Sequence, residues 1–155
     1  MSGSRLLLAG ALALAGCRAA VGHVSAQRLE AGLATAQRRG AGTRVALGDV
    51  AGSGWQQVYV FGPYTPAAAV ARCLGREAGA ETQGIESRDD ATLLVFQFPG
   101  GRVQGVAVRR SAGDFAPEAL RRAYSPEQAV FVVRRPPTGS WGDLAPAGGL
   151  TNRCS

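Results

Sequence analysis

The sequence predicts an α+β fold, with helices in a single layer on a mostly antiparallel sheet. Three observations lead there. Residues 57–62 (QVYVFG) are β-branched and aromatic on both faces, as a strand in the middle of a sheet requires. Thr65-Pro66 then opens a run with Ala67, Val70, Ala71 and Leu74 at helical spacing, closed by Gly75. Residues 92–98 (TLLVFQF) and 102–109 (RVQGVAVR) flank Pro99-Gly100-Gly101, which reads as a β-hairpin. A length of 155 residues with 46% hydrophobic content suits one domain with a packed core.

The remaining elements follow in order. Residues 18–42 are rich in Ala, Arg and Gly. Ser25 can cap a helix over 26–39, but its apolar stripe of Leu29, Leu33 and Ala36 is thin and Gly32 interrupts it. This stretch is expected as a partly helical tether outside the core. Residues 43–50 (TRVALGDV) suit a short leading strand, and 51–54 (AGSG) a turn. Residues 76–90 are polar and contain glycine, hence a loop. Asp114 caps a turn, and Pro117 opens an expected second helix carrying Leu120 and Tyr124, ended by Ser125-Pro126. Residues 129–134 (AVFVVR) form the last strand, and a Pro/Gly-rich tail begins at 136. The core order is therefore β-α-β-β-α-β, which the ferredoxin-like split βαβ and similar two-layer α+β sandwiches accommodate.

Composition excludes several chemistries. All 17 basic residues are Arg, so Schiff-base, Ser-Lys and P-loop lysine mechanisms are out. One His and three Cys cannot build a multi-histidine centre or a four-ligand zinc site of the usual kind. No cofactor is expected. The formal charge is +6, with four Arg-Arg pairs at 38–39, 109–110, 121–122 and 134–135. Arg102, Arg109 and Arg134 are candidates for a basic sheet rim that meets anionic lipid, phosphorylated glycan or an acidic partner, against the plainer reading of a solvated basic surface. No nucleic-acid recognition motif is present.

The N-terminus carries an address. Arg5 is the only charge before an apolar run over residues 6–15, which is too short to span a bilayer but suits an export signal. The run ends in Leu14-Ala15-Gly16-Cys17, which resembles the lipobox of bacterial lipoproteins. The resemblance implies cleavage before Cys17, a thioether-linked diacylglycerol on its sulfur, and an N-acyl chain on the freed amine. The alternative is plain secretion with Ala13-x-Ala15 as the cleavage site. Arg18 rather than Asp after the Cys points to the periplasmic face of the outer membrane in a two-membrane cell, otherwise to the outer face of the cytoplasmic membrane. The organisation expected is a signal peptide at 1–16, a lipid-anchored tether at 17–42, the α+β domain at 43–135 and a tail at 136–155. Loss of Arg5 with the signal peptide lowers the net charge to +5.

Export would place Cys73 and Cys154 in an oxidising compartment, where they are candidates for a disulfide. The alternative is a buried Cys73 on a helix and an idle Cys154 in the tail. Trp55 to Pro66 (WQQVYVFGPYTP), the helix ending Leu74-Gly75, and Leu94-Val95-Phe96 resemble small bacterial lipoproteins of no assigned activity, over residues 55 to about 135. That resemblance implies a shared fold and transfers no catalytic residue.

The candidate chemistry is sparse. His23 sits in the expected tether without a partner pattern for a triad. Asp89-Asp90 is the one adjacent acidic pair, and it reads more simply as a turn device than as an acid/base pair. Trp55, Tyr59, Tyr64 and Trp141 are either core or an aromatic platform. Tyr64 and Thr65, at a strand-to-helix corner, are the candidate binding residues together with Arg102 and Arg109. The expected function is a membrane-anchored envelope lipoprotein with a small non-enzymatic binding or assembly domain. The alternatives are a small envelope hydrolase using Asp89, Asp90 or Asp114, or an inhibitor or immunity-type module.

Overall fold

In the computed structural model, residues 22–135 and 142–154 are described, so Cys17 and Trp141 lie outside the described residues. Among the described residues three α-helices and seven strands run in the order α1 (Ala26–Arg39), β1 (Arg44–Ala46), α2 (Leu47–Ala51), β2 (Gln57–Phe61), α3 (Ala67–Leu74), β3 (Ala91–Gln97), β4 (Val103–Arg109), β5 (Arg122–Tyr124), β6 (Val130–Val133) and β7 (Leu144–Pro146). The class is α+β and every strand pairing within the two sheets is antiparallel.

The central sheet has the order β4-β3-β2-β5, with β2 interior as its two apolar faces require. One face presents Val58, Val60, Leu94, Phe96, Val106, Val108 and Tyr124 to a core shared with α1, α2 and a three-stranded sheet, β1-β6-β7. The other presents Tyr59, Phe61, Leu93 and Val95 to α3 and Ile85. Alternation of side chains along each strand divides the molecule into these two cores.

The segment 26–39, expected as a tether, is instead an integral helix. Leu29 and Leu33 are fully buried and Ala36 nearly so, and all three belong to the larger core. Ser25 caps the helix by accepting from the Arg28 amide. Gly32, read as a weak point, is a close crossing: a Cβ there would lie 2.2 Å from Val50 Cγ1 of α2. The Gln104 side chain pins the entry to α1, donating to the Val24 carbonyl (2.8 Å) and accepting from its amide (2.9 Å). The stripe looked thin because its counterpart surface is supplied by distant strands.

Three further expectations are corrected. The second helix is a single 3₁₀ turn, Pro117–Ala119, followed by the edge strand β5. Tyr124 fills the core as a strand residue, with its hydroxyl donating to the Ala119 carbonyl, and burial pushes its pKa up to about 12. Residues 142–154 of the expected tail belong to the folded domain: β7 pairs with β6, and Leu144 is fully buried. The leading strand is shorter than expected, because residues 47–51 turn into α2.

The start of α3 lies one residue later than the sequence suggests. Pro66, not Thr65, occupies the N-cap position. The Thr65 hydroxyl donates to the Gly62 carbonyl (2.7 Å), and Glu86 accepts from the Ala67 amide (3.3 Å). Residues Ala69 and Val70 are the buried positions of this helix, so its inward face is rotated from the one expected.

Candidate functional site

A cleft of about 510 Å³ opens where β2 hands over to α3. Its first wall is the corner Gly62-Pro63-Tyr64-Thr65. Tyr64 holds a left-handed backbone (φ 57°), fixed by its amide donating to the Ile85 and Arg88 carbonyls (3.1 and 3.2 Å). Its ring nevertheless stands 61% exposed, the most exposed large apolar side chain among the described residues. A non-glycine residue in this conformation costs energy, and such strain concentrates at functional positions.

The second wall is Pro117, Leu120 and Arg121. Arg121 is also left-handed (φ 55°), so both rims of the cleft hold a non-glycine residue in that conformation. Its amide donates to the Val60 carbonyl (2.7 Å), and its own carbonyl accepts from the Cys154 amide (2.8 Å). Residue Arg153 completes this side. It arrives with the C-terminal segment, which bridges Arg122 in antiparallel fashion. The Arg122 guanidinium donates to the Glu118 and Thr151 carbonyls and secures the same segment.

The Cys73–Cys154 disulfide ties that segment to α3, with the two Cα atoms 5.1 Å apart. Both walls thus trace back to one crosslink: α3 continues from the Tyr64 corner, and Cys154 follows Arg153. At the cleft's edge Arg110 grips Asp114 in a two-pronged ion pair (both 2.8 Å) and donates to the Asp89 carbonyl (3.1 Å). Arg121 and Arg153 are exposed and form no ion pair with any described residue. The cleft lining therefore includes two arginines with no ion pair among the described residues, beside the apolar Pro63 and Leu120.

Of the four candidate binding residues only Tyr64 and Thr65 line this cleft, joined by Arg110 and Arg121 from the Arg-Arg pairs, and Thr65 is 4% exposed with its hydroxyl already engaged. Arg102 precedes β4 at one end, its guanidinium 3.7 Å above the Phe98 ring and donating to the Gly22 carbonyl. Arg109 ends β4 at the other, paired with Glu30 (2.8 Å). That guanidinium, hydrogen-bonded to Glu30, holds the Glu30 carboxyl below its ordinary value. Arg134 pairs with Glu118 (2.6 Å). The three arginines expected as one basic rim are dispersed, each on its own partner.

None of the acidic candidates is itself part of the cleft lining, although Asp114 and the Asp89 carbonyl bond to Arg110 at its edge. Asp89 and Asp90 are exposed. The Arg88 guanidinium, hydrogen-bonded to Asp90, holds that carboxyl low. Trp55 is buried, with its indole donating to the Gly52 carbonyl and its ring edge-on to Phe96. Tyr59 is buried and stacks with Phe61. Both are core rather than platform. His23 is exposed, 3.4 Å from the Gln104 amide nitrogen. No three His, Cys, Asp or Glu side chains gather as a metal site among the described residues.

Sequence reasoning missed Arg121 and Arg153. The only available signals were the Arg121-Arg122 pair and the position of Arg153 beside Cys154. The left-handed backbone that turns Arg121 outward leaves no mark on a residue other than Gly or Asn. No family model, curated protein or solved structure matches this chain.

Proposed function

We propose that the chain is a bacterial envelope lipoprotein whose folded domain acts by binding, at the cleft between Tyr64 and Arg121. The observation that carries the binding half is the pair of arginines, Arg121 and Arg153, that have no ion pair among the described residues and line one cleft with an exposed tyrosine on strained backbone. Two arginines lining one cleft without a described acidic partner suit an anionic counterpart. The partner is an envelope protein or an anionic glycan or lipid, with no role for nucleic acid. Support for the address comes from Leu14-Ala15-Gly16-Cys17 after a short apolar run. Cys17 carries diacylglycerol and an N-acyl chain in this reading, and two acyl chains suffice for stable anchoring.

Anchoring at Cys17 would leave a short leash. Gly22 is already seated on the domain, its carbonyl accepting from Arg102. Five residues extend at most about 18 Å, so the domain stays close to its bilayer. The full-length chain and a Cys17→Ser variant, grown with labelled palmitate and separated by detergent phase partition, test the address. Label and detergent-phase recovery that both vanish in the variant are expected. An unlabelled chain recovered from the aqueous phase would overturn it. A photoreactive residue at position 64 tests the cleft. It should crosslink one defined envelope component, and one at the exposed Arg76 should not; identical products from both would overturn the assignment.

A further inference from the structure

We infer that the cleft takes a phosphomonoester carried on a sugar-like ring, presented from the side facing away from the anchoring bilayer. This rests on reading the cleft as a binding site and specifies what enters it. The first argument is charge. A phosphomonoester carries about −1.5 to −2 at neutral pH, matching the two guanidinium groups that have no ion pair among the described residues, whereas a carboxylate, sulfate ester or phosphodiester brings one negative charge. Guanidinium forks also fit phosphate oxygens two at a time. Arg110 cannot serve as freely, because Asp114 occupies its fork.

The second argument is shape. A volume of about 510 Å³ falls within the range of small-molecule sites. Pro63 and Leu120 provide an apolar floor, and the exposed Tyr64 ring offers a flat face beside the charge. A bare inorganic anion uses neither; a ring bearing a phosphate uses both.

The third argument is direction. The entry to the domain at Gly22 packs beside Phe98 and Arg102, at the end of the central sheet where Gln97 faces Gln57 and Val103. The cleft lies at the opposite end, beyond Phe61 and Arg109. The seven residues of β3 separate the two ends by about 20 Å. Attachment through Cys17 therefore enters the domain at the end of the sheet remote from the cleft.

The test is calorimetry on the full-length chain purified in a nonionic detergent, titrated with glucose 6-phosphate, glucose 6-sulfate and inorganic phosphate. Glucose 6-phosphate should bind about fivefold more tightly than the sulfate, the effect of one added charge near 4 Å in water. It should also exceed inorganic phosphate. Arg153→Gln and Arg121→Asn should each weaken it about tenfold, with Asn chosen because it tolerates left-handed backbone. Arg76→Gln should leave it unchanged, and circular dichroism should show all variants folded. Equal affinity for sulfate overturns the double charge, and equal affinity for inorganic phosphate overturns the ring. Flotation of the unlipidated Cys17→Ser chain with phosphatidylcholine vesicles containing phosphatidic acid but not with phosphatidylcholine alone, in place of soluble binding, overturns the direction. Failure of every probe by a chain that still incorporates palmitate removes this inference and leaves the anchored lipoprotein standing. Binding by an unlipidated chain does the reverse, removing the direction argument with the anchor while the charge and ring assignment survives.

Discussion

Replacing Leu33 by alanine should destabilise the domain by about 3–4 kcal/mol, although the residue lies in a stretch whose composition suggests a tether. The magnitude follows from its surroundings. Leu33 is fully buried within the larger core. Its Cβ lies 3.2 Å from where a side chain at Gly113 would begin, so the neighbouring chain is already close-packed. Its helix packs against α2, β4 and β1, so the site is enclosed by several elements and relaxes little into a void. Leu→Ala changes at such sites cost about 2.7–5.0 kcal/mol, the upper part arising where the cavity cannot collapse. For a chain of this size the midpoint of thermal unfolding should fall by roughly 10 °C. Urea unfolding followed by circular dichroism measures the difference directly, with Gln27→Ala on the exposed face of the same helix as control. An unchanged slope accompanying the shift would locate the loss in the native state. A Leu33→Ala penalty within about 0.5 kcal/mol, the range of an ordinary surface substitution, would refute the placement of α1 in the core.

Three other outcomes follow from the same structure. Changing both Cys73 and Cys154 to Ser frees a crosslink across 81 residues of sequence, worth about 4.5 kcal/mol in the chain-entropy model; urea midpoints of the two chains compare it, and a difference below about 1 kcal/mol would contradict the pairing. Gly105→Ala should weaken packing at the outer strand β4, because a Cβ there would sit 1.7 Å from the Glu81 carbonyl oxygen; faster proteolysis near residues 79–83 with the rest of the domain protected is the expected signature, and wild-type resistance would argue against that crossing. Glu30 has a lowered folded-state pKa, so its ion pair with Arg109 stabilises the fold above the ordinary value of 4.5 and stops doing so as pH falls through the folded value. The stability gap between the wild type and Glu30→Gln should accordingly be largest near pH 7 and shrink below about pH 4.5 in acid titrations of the unfolding midpoint; a gap independent of pH would remove the linkage.

The strands of the central sheet were legible because their evidence is local. Strand β2 is apolar on both faces and is interior; β3 and β4 flank Pro99-Gly100-Gly101 and pair through seven residues. The helix at 117–124 was misread for the opposite reason. Pro117 is a helix-opening signal, but Arg121 takes a left-handed backbone and Tyr124 is drawn into the sheet beside Val58, and both choices are made by partners far along the chain. The same holds for α1 and β7, whose few apolar residues count only once the distant surfaces that cover them are present.

By itself the amino-acid order determined the α+β class, the hairpin, the Tyr64 corner and the absence of lysine chemistry, because each depends on residues within about ten positions of one another or on composition alone. The tertiary structure alone decided that Arg121 and Arg153 face one cleft while Arg102, Arg109 and Arg134 scatter to separate partners. An arginine's environment is a sum over neighbours brought together by folding, so its pairing is not written in its sequence neighbourhood. Here a disulfide, a bridge to β5 and two left-handed residues set that sum.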